Sequence, residues 1–222
     1  EMPALTNDLL VKVCSYITDP VTTTDELIPS GETSSYRSNP ERLSEFALSR
    51  RDPQYVGRSK EMRAIERDRE AGKALPEEVM KVYEALTKAG IANDPANTDI
   101  GSTIFANMPG DGSAREQAAS CQRVMGASAN FAKQYATKRY RSNCINWGIL
   151  PFTLDAGTSF DYAPGDCVFV PGIRQAIENG IEDIPARVIR TDGAVEGLML
   201  HVKGLTDDEK EIILDGCLMN YY

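Results

Sequence analysis

The sequence predicts a layered α/β domain, and three observations carry the prediction. Short apolar runs of strand length recur through the second half: Ser102–Phe105, Cys167–Val170, Ala186–Ile189 and Leu198–Val202. Helix-forming stretches alternate with them, and one of these, Asp207–Leu214, opens on Thr206 with three acids in its first turn. At 222 residues and 41% apolar content the chain is long enough to bury one good core. That alternation calls for strands packed against helices.

In chain order, Leu9–Val13 is a strand-like apolar run ending near Cys14, and 22–39 is a polar loop rich in Thr, Ser, Gly and Pro. Pro40-Glu41-Arg42-Leu43 reads as a helix start, with proline tolerated in the first turn. Glu61–Glu70 is dominated by Glu and Arg and reads as a solvated face rather than a binding patch. Over Leu75–Leu86, Val79, Val82, Tyr83 and Leu86 form one stripe of an amphipathic helix. Residues 40–90 are therefore expected to be an exposed helical insertion packed on one side of a single domain spanning 1–222. Further on, Ser113–Cys121 and Ala132–Tyr140 are expected as helices, Trp147–Pro151 as an apolar return, and Ile173–Glu178 as another helix. No internal repeat is visible.

Composition removes several classes of function. No apolar run approaches the roughly eighteen residues needed to cross a bilayer, so no membrane partner is expected. The opening Glu1-Met2-Pro3-Ala4 lacks the pattern of a signal peptide and reads as a cut inside a longer protein. A net charge of −9 repels phosphate backbones, which disfavours nucleic acid as the main partner. The five cysteines, Cys14, Cys121, Cys144, Cys167 and Cys217, form no C-x-x-C pair and read as buried reduced thiols of a cytoplasmic protein. The one histidine, His201, lies in the apolar run Leu198–Val202 and reads as structural. From these residues no metal site can be assembled, so any metal must come from elsewhere.

The most informative stretch is Gly110-Asp111-Gly112-Ser113-Ala114-Arg115-Glu116. Two glycines between a strand and a helix allow backbone amides to approach an anion. Ser113 at the helix N-terminus, near Arg115, is suited to ionise and to abstract a proton. Ser113-x-x-Glu116 is equally an ordinary capping box. The stretch is not a dinucleotide fingerprint, because Arg115 stands at the third glycine position, and it lacks the Gly-Lys-Ser/Thr of a P-loop.

These residues resemble the glycine–x–glycine–serine–serine–arginine–glutamate motif of the aconitase family's C-terminal swivel domain. Tyr135-Ala136, Arg141-Ser142-Asn143 and Gly148-Ile149-Leu150-Pro151 are similar to a second stretch of that family. Thr23-Thr24-Asp25 resembles its threonine–threonine–aspartate–histidine segment, and Arg37 falls where the family places a substrate-binding arginine. The resemblance implies a swivelling β/β/α domain of three layers, with the charged insertion added. It also implies a hydro-lyase that dehydrates and rehydrates a hydroxy di- or tricarboxylate of the citrate or isocitrate kind. The [4Fe–4S] cluster of such an enzyme is bound by an N-terminal portion absent from this chain, and its fourth iron acts as Lewis acid.

By the same resemblance Ser113 is the base, and Arg37 and Arg115 clamp substrate carboxylates with planar forks of donors. Asp25 belongs to the supporting network. Gly110 and Gly112 shape the anion-binding loop, and Ala114 stands at a substrate-touching position. Taken alone, Arg37 reads as a solvated loop arginine, Asp25 as a turn residue and Asn143 as a structural hydrogen-bonder. This sequence departs from the motif at Ala114, Gln117 and Glu26, where the family has serine, histidine and histidine. The departures leave the substrate open. The expected partners are the cluster-binding domains of the same protein and a small hydroxy-carboxylate. Two other roles also match the resemblance: a separate small subunit like that of isopropylmalate dehydratase, and an RNA-binding regulator, which the acidic charge disfavours.

Overall fold

The structure, a computed structural model, describes residues 4–29 and 38–221. Its centre is a closed barrel of seven strands: β1 (Asp8–Ile17), β3 (Thr98–Ala106), β5 (Ala127–Ala132), β6 (Leu150–Thr153), β7 (Cys167–Val170), β8 (Asp183–Ile189) and β9 (Val195–His201). Around the barrel the order is β1–β3–β5–β6–β9–β8–β7. β1, β3, β5 and β6 pair in parallel and make one wall. β9, β8 and β7 pair antiparallel and make the other. On one side the walls join along Leu9–Lys12 of β1, which faces Cys167–Val170 of β7. On the other they join through a single pair, Thr153 with His201.

The helices are α1 (Thr24–Leu27), α2 (Pro40–Ser44), α3 (Tyr55–Glu70), α4 (Glu77–Lys88), α5 (Arg115–Val124), α6 (Lys138–Asn146), α7 (Ile173–Glu178), α8 (Asp207–Asp215) and α9 (Leu218–Tyr221). Parallel strands need crossover connections, and α5 and α6 supply those on either side of β5. Alternation along β1 then creates two cores. Leu9, Val11 and Val13 point into the barrel, where Phe105, Phe131, Phe152 and Phe160 gather, the rings of Phe105 and Phe160 stacking at 4.5 Å. Leu10 and Cys14 point outward, beneath Tyr55, Met62, Val79, Tyr83 and Leu86 of α3 and α4. Each fully buried side chain of this kind contributes roughly 1.5–3 kcal/mol. The helices of segment 40–90 are thus part of the second core, although their exposed faces are charged.

The mixed α/β class agrees with the sequence, while the three expected layers take a modified form. The two β layers are the walls of one barrel, and most helices cover the outside of the parallel wall. Two local expectations are corrected. Residues Ala132–Tyr140 are not a helix: β5 ends at Ala132, and α6 begins only at Lys138, where the Thr137 hydroxyl accepts the Tyr140 N–H at 3.1 Å. β5 itself, Ala-Ser-Ala-Asn-Phe-Ala, has no β-branched residue to announce it, and it is buried because it lies in the middle of the parallel wall. The other correction concerns the charged run. One side of α3 docks onto β3, where Arg69 pairs with Glu66 and also with Asp99 at 3.2 Å, and the Glu66 carboxylate accepts the Ile100 N–H at 2.9 Å. Among the described residues no helix is long and apolar enough to cross a membrane.

Candidate functional site

Two short strands lie beyond the carboxyl ends of β1 and β3, which is where open parallel sheets bind ligands. β2 (Thr22–Thr23) runs parallel to β4 (Pro109–Asp111), with Thr22 opposite Pro109 and Thr23 opposite Asp111. Thr23 then caps α1: its hydroxyl accepts the Glu26 N–H at 3.1 Å, and Glu26 reaches back to the Thr23 N–H. A family position given to histidine is thus occupied here by the acid of a capping box.

The glycine loop is held from behind. Gly110 has φ +100, and a Cβ there would overlap the ring of Tyr140; Gly112 has φ +134 and faces the hydroxyl of Thr24. Both positions combine a left-handed backbone with no room for a side chain, so glycine is required at each. Thr137 donates its hydroxyl to the Gly110 carbonyl at 3.3 Å, and the Ala136 N–H reaches the Pro109 carbonyl at 3.0 Å. Tyr140 is fixed in turn. Its hydroxyl donates to Gln122, Asn130 donates to that hydroxyl at 3.2 Å, and Gln122 closes the ring onto Asn130 at 3.3 Å. Burial holds the tyrosine pKa well above its usual range, so the hydroxyl stays a donor.

At the tip of this loop Ser113 is exposed. It does not cap the helix. The N-cap of α5 is Ala114, at φ −86 and ψ 43, and among the described residues no side chain makes a capping bond there. The capping-box reading therefore fails: the helix begins one residue too late for Ser113 to reach the third amide. Arg115 follows, half-buried, and its Nε is enclosed without a hydrogen-bond partner among the described residues.

Asp25 stands exposed on α1, 3.3 Å from Arg50. Since Gly112 packs against Thr24, the aspartate's helix and the glycine loop are neighbours. Arg50 and Arg51, which sequence reading passed over, sit on a turn whose buried Leu48 adopts φ +55, and Arg51 pairs with Asp19 and Glu26. A left-handed backbone at a branched residue is costly and is held by its surroundings, here by a bond from the Leu48 N–H to the Leu27 carbonyl at 2.9 Å. Arg37 lies outside the described residues. Tyr140 and Thr137 were also passed over, because their contribution to the loop depends on contacts about thirty positions away.

The thiols offer nothing to an iron–sulfur cluster. All five cysteines are free and buried, and burial raises Cys14, Cys144 and Cys167 to about 12. Among the described residues no group of three His, Cys, Asp or Glu side chains gathers to hold a metal ion. The residues present do not fit a cluster. Neither of two cavities, of about 330 and 380 Å³, is lined by Ser113 or Arg115. The exposed serine, the open helix end and the enclosed arginine are adjacent at the start of α5.

Residues 88–157, which include the glycine loop, α5 and α6, match the family model for the aconitase C-terminal domain. Over 152 residues the chain is 25% identical to aconitate hydratase A of Bradyrhizobium diazoefficiens, covering 65% of this chain and 16% of that protein. The crystal structure of 3-isopropylmalate dehydratase (leuD) from Methanocaldococcus jannaschii resembles the fold at TM-score 0.55 and 19% identity, covering 96% of this chain and 92% of that one. Taken together, the family match across the loop and its supporting helices, and the hydratase relative, support an aconitase-family C-terminal domain.

Proposed function

We propose that this domain closes over the active site of an aconitase-like hydro-lyase and supplies the proton-abstracting and carboxylate-binding groups of a site completed by another portion of the protein. One observation carries the reading. Among the described residues, the first turn of α5 is uncapped beside an exposed Ser113, and the enclosed Arg115 Nε has no hydrogen-bond partner. An open helix terminus and a guanidinium both favour negative charge.

In this role Ser113 takes the proton from the carbon next to the leaving hydroxyl of a hydroxy di- or tricarboxylate. The amides at the start of α5 stabilise the serine oxygen as it loses its own proton. Arg115, and Arg37 by family resemblance, hold the substrate carboxylates, and Asp25 orders the neighbouring segment through Arg50. Since this chain's cysteines do not fit a cluster, any iron–sulfur centre belongs to the cluster-binding portion.

The test joins this chain to that portion with its cluster reconstituted and follows dehydration of citrate, isocitrate and shorter 2- or 3-hydroxy acids. Ser113→Ala should abolish most turnover while leaving substrate affinity nearly intact, and Arg115→Lys should chiefly raise KM. Full turnover by Ser113→Ala would reject the base assignment. A second reading, that the domain is a separate small subunit, draws on the likeness in fold to the 3-isopropylmalate dehydratase (leuD) structure. Activity on mixing two separately expressed chains would support it.

A further inference from the structure

A second cavity site lies at the amino ends of the parallel strands, the opposite pole from Ser113. There a cavity of about 330 Å³ opens between α3 and the C-terminal turn of α5, a volume at the lower end of small-molecule sites. Leu9, Leu150 and Ile213 give it an apolar floor, and Arg123 lines the same space. The Arg123 guanidinium makes one described hydrogen bond, from Nη1 to the Ala127 carbonyl at 3.0 Å, and is in no ion pair among the described residues. Burial lowers its pKa, as expected for a cation withdrawn from water without a close counter-ion.

Of the four carboxylates that line the cavity, three are committed elsewhere. Glu66 and Asp99 pair with Arg69, and Glu41 pairs with Arg63 at 2.9 Å. Arg67 and Glu70 stand exposed at the mouth. Gly148 keeps the space beside the guanidinium open: a Cβ there would sit 3.9 Å from the Arg123 Cζ and overlap the Gly216 carbonyl.

We propose that this cavity binds a small carboxylate with a short aliphatic chain, its head on the Arg123 fork and its tail on Leu9, Leu150 and Ile213. A planar guanidinium with donors to spare suits a carboxylate, and the adjoining apolar floor suits a few methylenes. The site is separate from the Ser113 loop, so its occupancy does not depend on the proposed hydro-lyase activity.

The test uses the full chain at low ionic strength with hexanoate as probe, read by amide chemical shifts and by calorimetry. Hexanoate should bind saturably, with Kd on the order of 1 mM or tighter, and should shift the amides of Gly126 and Gly148 while leaving those of Gly112 and Ser113 unmoved. Arg123→Met should weaken binding about tenfold, the scale of one lost charge-assisted pair. Arg67→Gln changes only an exposed side chain at the mouth and should weaken binding by about twofold to threefold, which keeps the proposal testable if Arg123→Met folds poorly. Ser113→Ala should bind as the parent does. Failure to saturate, undiminished binding in Arg123→Met, or shifts centred on the Ser113 loop would each overturn the proposal. Equal affinity for hexanol would remove the role of Arg123, and equal affinity for inorganic phosphate would overturn the carboxylate assignment.

Discussion

The two poles of the parallel wall use similar side chains to opposite ends. At the amino pole, carboxylates and guanidinium groups close on one another: Glu66 and Asp99 on Arg69, Glu41 on Arg63. At the carboxyl pole the groups of greatest chemical interest are left open. Ser113 is exposed and, among the described residues, α5 is uncapped and the Arg115 Nε has no hydrogen-bond partner. Exposed ion pairs contribute little to stability, but partly buried and hydrogen-bonded ones fix an interface. The amino pole therefore attaches α3 to the sheet, whereas the carboxyl pole leaves Ser113 and the first turn of α5 outside such pairs. Arg123 is the exception, which is why it carries the second proposal.

The largest expected effect separates the poles by function. Ser113→Ala in the reconstituted enzyme should lower kcat by about 10²–10⁴, the usual contribution of a positioned base, and should change the unfolding free energy by less than about 0.5 kcal/mol because the side chain is exposed. A large loss of stability would show that the serine is structural after all. Next, Gly110→Ala drives a methyl group into the Tyr140 ring at a backbone conformation alanine avoids. It should cost about 2–4 kcal/mol in denaturant unfolding and abolish activity with it. A variant as stable as the parent would mean that Tyr140 does not brace the loop.

The amino pole is sharpened by pH. Burial pushes the Glu66 carboxyl up to about 7, against the opposing pull of Arg69 and the Ile100 N–H. Its unfolded value is near 4.3. Between those two values the folded chain retains a proton that the unfolded chain has released, so stability should fall as pH rises through the window. Glu66→Gln should remove on the order of 1–3 kcal/mol of that fall, measured as midpoints at several pH values. An unchanged pH profile would show that the carboxylate is ionised throughout. Smallest is Thr206→Ala, which removes the capping box of α8 and should cost about 1 kcal/mol with activity unaltered.

Much of the architecture could be read in advance, and the misses have specific physical causes. Strands rich in Val, Ile and Leu, such as β7 and β9, and helices with polar caps, such as α8, announce themselves because local preference and tertiary environment agree. β5 does not, since alanines acquire strand character only from their place in a covered parallel wall. The glycine loop was legible as a turn between strand and helix, but not the fact that α5 starts at Arg115 and leaves Ser113 outside it. A one-residue shift in a cap is set by how the loop packs on Thr24 and Tyr140, and no local pattern encodes it. The charged face of α3 misled for a similar reason: burial of Glu66 and Arg69 depends on Asp99, some thirty positions away.

Barrel closure is lopsided. One joint between the walls runs along four residues of β1, and the other is the lone rung from Thr153 to His201, flanked by the contacts of the His201 ring with Asp155 at 2.9 Å and Asp183 at 2.7 Å. A cylinder fastened in this manner opens at its narrow clasp first, with the broad joint acting as spine. Amide exchange near Thr153 and His201 should therefore outpace that of β1 and β3, and the phenylalanine-filled interior should meet solvent by that route well before the chain as a whole unravels.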